Sequence, residues 1–261
     1  MVRKFIDNQP IFEVQLAKKA EDIRAAQRLR YAVFVNELGA GGDNVDHHLQ
    51  LERDQFDPFA AHLLLRDISR PAGDDVVGVY RLMTRDMADE AGGFYCAQEF
   101  DLSPLHEKGG RLLELGRSCL HPDYRGGEAM LHLWGGLTDY VEAHGIETLF
   151  GVASFHGTDT AALAPALALL HERHLAPPFL RVTAKGSTAF FPGNRAANTD
   201  RLATVRLIPS LIKAYLRLGG CIGEGAFVDH DFNTTDVCLI LQRDAINALQ
   251  GQLYTTGAQR G

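Results

Sequence analysis

The chain has 261 residues, 46% hydrophobic and 23% charged, enough for one large domain with a substantial core and too ordinary in composition for disorder. Its 26 basic and 33 acidic residues leave a formal charge of −7, which argues against nucleic acid as a partner and suits a soluble protein. Cys96, Cys119, Cys221 and Cys238 stand in no ligand spacing, so free thiols in a reducing compartment are expected, with Cys119 packed among apolar neighbours. No apolar h-region follows Met1–Phe5, and no stretch approaches the roughly 18 residues of a membrane span. The expected location is the cytoplasm.

In chain order, Phe12, Val14 and Leu16 alternate with polar neighbours and predict a strand within residues 11–19. A helix is expected from about Glu21, with Ile23, Ala26, Leu29, Arg30, Val33, Phe34 and Leu38 on one broad face and Gly39 as its C-terminal cap. A long polar loop follows, carrying His47, His48, Glu52, Asp54 and Asp57; loops of this length are often functional. Residues 61–67 and 75–82 read as a hairpin, and residues 99–105 give no clear pattern.

The centre of the chain is an apolar run from Leu112 to Leu120 that carries Glu114 and Arg117 and ends in His121-Pro122-Asp123. An amphipathic helix starts near Gly126, placing Met130, Leu133, Trp134, Leu137 and Val141 on one face. A buried strand over Thr148–Ser154 completes a βαβ-like unit. Asp159 caps a helix over residues 160–172, and residues 176–200, with Pro177, Pro178, Pro192 and Gly193, are expected to be mostly irregular. Pro209 opens a short helix ended by Gly219-Gly220, and two strands follow near 221–227 and 236–241. With no repeat, low-complexity tract or linker, residues 1–261 are expected to form a single α/β domain, its core at about 11–242.

An acid inside an apolar strand either pairs or moves a proton. Residues i and i+3 of a regular strand face opposite ways, so Glu114 pairs with Arg117 only if a bulge intervenes. Burial raises a carboxyl pKa toward the range useful for a general base. Arg30, Arg81 and Arg117 can bind a substrate carboxylate, orient Glu114, or fork onto Asp54 and Asp57. His171 and His174 have helical spacing but no evident third ligand, so no metal is expected.

Four stretches resemble one family when read together: Tyr31–Gly39, Glu114–Arg125, Leu211–Gly219 and Val228–Asp236. They resemble the ornithine-acyl-[acyl carrier protein] N-acyltransferases of the GNAT fold, relatives of the acyl-homoserine-lactone synthases, over about residues 20–242. The resemblance implies a mixed central sheet flanked by helices, with a C-terminal elaboration and a thioester lying in a splay between two central strands. It implies transfer of a 3-hydroxyacyl chain from acyl carrier protein to the α-amine of ornithine, with Glu114 as base. No cofactor is implied beyond the carrier's 4′-phosphopantetheine arm.

Within that expectation, Ser154 either contacts the carrier arm and leaving thiolate or caps its strand, and His156 is a candidate proton donor. Asp54 and Asp57 either attract the δ-ammonium of ornithine or pin their loop, and Phe34 is first a core residue and second a wall of the acyl site. Trp134 is counted among the substrate-binding residues. Glutamine, glycine or another amino acid remains an alternative acceptor, as does a homoserine-lactone-type synthesis. The segment Arg125-Gly126-Gly127-Glu128 has its glycines displaced from the usual pyrophosphate loop and adds a negative charge, which favours a carrier protein over coenzyme A. An acidic carrier needs a basic patch, for which Lys108, Arg111, Arg125, Lys185, Arg195 and Arg201 are candidates. A peripheral contact with the inner membrane is an expectation from the greasy product alone.

Overall fold

The computed structural model describes residues 9–193 and 200–244. The strands are β1 (Phe12–Leu16), β2 (Val45–Asp46), β3 (Leu51–Glu52), β4 (Ala61–Asp67), β5 (Val76–Thr84), β6 (Phe100–Asp101), β7 (Leu112–Leu120), β8 (Thr148–His156), β9 (Thr183–Ala184), β10 (Ala189–Phe190), β11 (Cys221–Ile222), β12 (Ala226–Asp229) and β13 (Thr234–Gln242). The helices are α1 (Ala20–Arg30), α2 (Arg85–Ala91), α3 (Ser103–Lys108), α4 (Ala129–Ala143), α5 (Thr160–His174), α6 (Arg201–Leu207) and α7 (Ser210–Arg217). The main sheet runs β1-β4-β5-β7-β8-β13-β12-β10, with β11 also on β13.

Alternation along the strands divides the core. Leu113, Leu149, Val237 and Leu239 pack with Leu133 and Leu137 of α4 and Ile212 and Tyr215 of α7. The opposite face packs Phe150, Cys238 and Ile240 against Phe94, Cys96, Phe100 and Leu105. On that same face, α1 lays Ala26 and Leu29 over Leu64, Val79 and Cys119. The helix expected to run to Gly39 instead loosens into a π-helix over Tyr31–Glu37, a distortion frequent at functional sites; Gly39 then takes φ +76°. Helices α2, α3 and α6 lie where no helix was expected.

All main-sheet pairings are antiparallel except one. Strands β7 and β8 run parallel and pair only from Leu112–Glu114 against Thr148–Phe150, after which the two nine-residue strands part. Gly151 stands at the fork: a Cβ there would lie 2.1 Å from the Leu115 carbonyl oxygen. Gly151→Ala therefore forces backbone apart and is expected to cost about 3 kcal/mol, at the upper end of overpacking. A thermal melt unchanged from wild type would refute this close approach.

Candidate active site

The fork opens into a cavity of about 260 Å³ that passes through the sheet. On the helix α4–α7 side its walls are apolar, including Tyr80, Leu149, Leu211, Tyr215 and Leu239. On the other side Phe150, Val152 and Ile240 stand beside the polar and charged groups Glu114, Arg117, Ser154, Asp229, Thr234 and Asp236, with Tyr95, Phe34 and Phe232. A through-sheet cavity with one greasy half and one ionisable half suits a long apolar chain meeting a polar reactant at a central bond.

Glu114 is 4% exposed and held by both carboxylate oxygens: Tyr95 N–H donates to Oε2 at 3.0 Å and Cys96 N–H to Oε1 at 2.6 Å. These amides open a short 3-10 turn, Tyr95–Gln98, whose free N–H groups suit an anion. Burial nevertheless raises the carboxyl pKa above its ordinary value, against the pull of the Cys96 amide and the Arg81 charge.

A bulge does occur in β7. Its register against β5 slips between Val79 and Arg81, and Arg117 takes φ +51°, a left-handed conformation costly for a residue with a Cβ. The slip brings Arg117 to the cavity beside Glu114, but the two do not pair. Arg117 donates through Nε to Glu52 at 3.1 Å and through Nη2 to Asp54 at 2.9 Å. Its guanidinium is sandwiched by the Tyr95 and Phe232 rings, 4.5 and 4.7 Å from their centroids.

The remaining arginines join the same buried lattice. Arg30, fully buried, bonds Glu52 and, at 2.8 Å, Asp57; Arg81 bonds Asp54 at 2.5 Å and Asp57 at 3.0 Å. Three arginines and three acids thus tie α1, the 39–57 loop, β5 and β7 together. The arginine charges hold the Asp54 and Asp57 carboxyls below their usual range in spite of burial. Asp54 and Asp57 are therefore occupied by arginine, leaving loop pinning as the role their geometry fits rather than capture of an ammonium.

A second charged group lies on the polar side. Glu99, Asp229 and Asp236 place carboxylate oxygens within 4.8 Å of one another.

The model of the acetyltransferase (GNAT) domain matches residues 29–135. The L-ornithine N(alpha)-acyltransferase of Rhodobacter capsulatus is 56% identical over 246 residues, covering 94% of this chain and 95% of that protein. The enzyme of the same description from Brucella abortus is 39% identical over 254 residues, covering 95% of this chain and 90% of that protein. The chain belongs to the L-ornithine N(alpha)-acyltransferase family. A solved CoA-dependent acyl-homoserine lactone synthase, BjaI with MTA, shares the fold at TM-score 0.50 and 14% identity, covering 93% of this chain and 89% of that one.

In this family member Glu114, Arg117, Ser154 and Phe34 come together around the cavity, while Arg30, Arg81, Asp54 and Asp57 form the lattice behind it. Besides those four lattice residues, two further expected substrate contacts are not at the cavity wall. Trp134 turns toward α7 and packs on Tyr215, ring centroids 5.8 Å apart, because it follows the buried stripe of α4. His156, exposed at the last position of β8, extends past the cavity's edge. Ser154, beside Asp236 in the ladder, lies mid-strand, since β8 continues past it.

The candidates for a basic patch are spread over the sheet. Lys108 and Arg111 flank the start of β7, whereas Arg125 follows its end, roughly 30 Å away along a nine-residue strand, and is spent on Glu37. Arg195 lies outside the described residues. Glu128 is exposed at the N-terminal cap of α4. Glu52, Tyr95, Glu99, Asp229 and Asp236 were given no role from sequence. For Asp236 a signal existed: like Glu114, it is an acid inside an apolar strand.

Proposed function

We propose that the protein transfers a 3-hydroxyacyl group from acyl carrier protein to the α-amine of L-ornithine. The observation that carries this reading is the 56% identity, over nearly the whole length of both chains, to an L-ornithine N(alpha)-acyltransferase. The two-sided cavity supports it. The acyl chain occupies the apolar half and the thioester lies in the fork of β7 and β8. The amino acid enters from the side of Glu114.

An α-ammonium must lose its proton before it attacks. Glu114, raised in pKa by burial and fixed by two amides, takes that proton directly or through a water. The amine nitrogen then bonds to the thioester carbonyl carbon and the carbon–sulfur bond breaks. The sulfur leaves as thiolate and takes up the second proton that the nitrogen sheds on becoming an amide, with the Ser154 hydroxyl as a candidate contact. The displaced glycines and Glu128 support a carrier protein over coenzyme A as donor. Among the described residues no helix is long and apolar enough to cross a membrane. The amphiphilic product favours release at a membrane surface.

Mass spectrometry of a reaction with 3-hydroxyacyl carrier protein and an equimolar mixture of amino acids tests the proposal. Acyl-ornithine is the expected product. Acyl-glutamine or acyl-glycine as the main product would overturn the acceptor, and turnover with acyl-coenzyme A alone would overturn the donor.

A further inference from the structure

Glu99, Asp229 and Asp236 are a second acidic centre that neither the arginine lattice nor the proton transfer uses. Asp229 and Asp236 line the polar half of the cavity, and Glu99 reaches them from the turn that covers it. Glu99 and Asp236 are each 2% exposed, and among the described residues Glu99 Oε2 and Asp236 Oδ1 have no hydrogen-bond partner. A buried carboxylate oxygen left bare is costly unless something absent from the free protein completes it. Arg117, which attracts both groups, is spent on Glu52 and Asp54. Asp229 is held in place by its own turn, its Oδ1 accepting from the Asp231 and Phe232 amides at 2.8 and 2.9 Å.

Glu114, Asp229 and Asp236 line one cavity, and Glu99 directly follows the turn whose first amides hold Glu114. An extended ornithine separates its two nitrogens by roughly 6 Å, five bonds each advancing about 1.2 Å. An α-amine at Glu114 therefore leaves the side-chain ammonium in the half of the cavity that the acids line. Burial and mutual repulsion raise the Glu99 carboxyl well above its usual pKa and push Asp236 up to about 7, as expected of acids gathered without a cation.

Resting on the acylation of ornithine proposed above, we propose that Glu99, Asp229 and Asp236 form the subsite for the side-chain ammonium of the acceptor and select a diamino acid over an apolar amino acid of equal length. A primary ammonium carries three N–H donors, which suits three carboxylates converging on one point. Asp54 and Asp57 offer no such vacancy, since arginine already holds them.

The test is competition between L-ornithine and L-norvaline, which lacks only the δ-amine, with acyl carrier protein as donor and product ratios read by mass spectrometry. Wild type should prefer ornithine by at least about 100-fold, and Glu99→Gln and Asp236→Asn, tested separately, should each shrink that preference at least about tenfold through the ornithine KM. Replacing one of three crowded acids by its neutral isostere should leave each variant folded, with a melting temperature equal to or above wild type. Wild type that ignores ornithine overturns the acylation reading and this subsite with it. Wild type that prefers ornithine while both variants keep the preference overturns the subsite alone, as does an equal kcat loss with both amino acids. Saturable stabilisation of the substrate-free protein by Mg²⁺, Mn²⁺ or Ca²⁺, abolished in Asp236→Asn, would assign the centre to a metal and also overturn it.

Discussion

Glu114→Gln is expected to lower kcat for acyl transfer to ornithine by about 10²–10⁴-fold, the range of a lost general base, with KM nearly unchanged. The amide keeps the size of the carboxylate but cannot accept a proton at neutral pH. It also cannot accept from both the Tyr95 and Cys96 amides, so one buried N–H loses its partner at a cost of about 1–3 kcal/mol. That loss leaves a folded protein, which circular dichroism checks. The pH profile separates a base from a mere anchor. Burial raises the Glu114 pKa, so wild-type activity should fall as pH drops through that raised value, and the acid limb should flatten in the variant. Retention of most activity by a folded Glu114→Gln would remove this mechanism.

Arg30→Ala is expected to have the largest effect on stability, a loss of about 3–5 kcal/mol in denaturant unfolding at neutral pH. Arg30 is fully buried and bonds Glu52 and Asp57; without it both carboxylates remain buried with half their compensation. The sign of the pH dependence follows. Arg30 and Arg81 hold the Asp57 carboxyl below its unfolded value, so its contribution is present above about pH 4 and is lost as pH falls toward the depressed folded value. In Arg30→Ala, Asp57 titrates higher and can be neutralised. The gap between wild type and variant should be widest near neutrality and narrow toward about pH 3. A gap under about 1 kcal/mol at pH 7 would show that the lattice is not cohesive.

How far the chain could be read depended on whether a residue's partners were near it in sequence. Strand and helix periods follow from local spacing, so β4, β7, β8 and α5 came out within a few residues of their observed bounds. Two of the three missed helices plainly lack such a stripe. Arg85–Ala91 buries only Ala88, and Arg201–Leu207 only Thr204, so neither shows a continuous apolar face. Glu114 was legible because an acid in an apolar strand is anomalous on its own. Asp236 carried the same anomaly, but its meaning depends on Glu99, 137 positions earlier, and no spacing rule joins them.

By itself the sequence determined the alternation that makes a buried sheet, the amphipathic helices that cover it, and one acid with the chemistry of a base. Tertiary structure decided which charges would meet. The three arginines were open to substrate, base or loop, and the lattice occupies them with Glu52, Asp54 and Asp57 because α1, the loop and β7 converge there. The bulge at Arg117 reversed the facing that regular alternation implies and brought its side chain to the cavity beside Glu114, where Glu52 and Asp54 rather than Glu114 take its donors. Trp134 fitted a functional or a packing role equally well in one dimension, and only the position of α7 made it core. Local physics fixes what each segment is; long-range packing and the desolvation it imposes fix which ionisable groups are satisfied and which are left to bind.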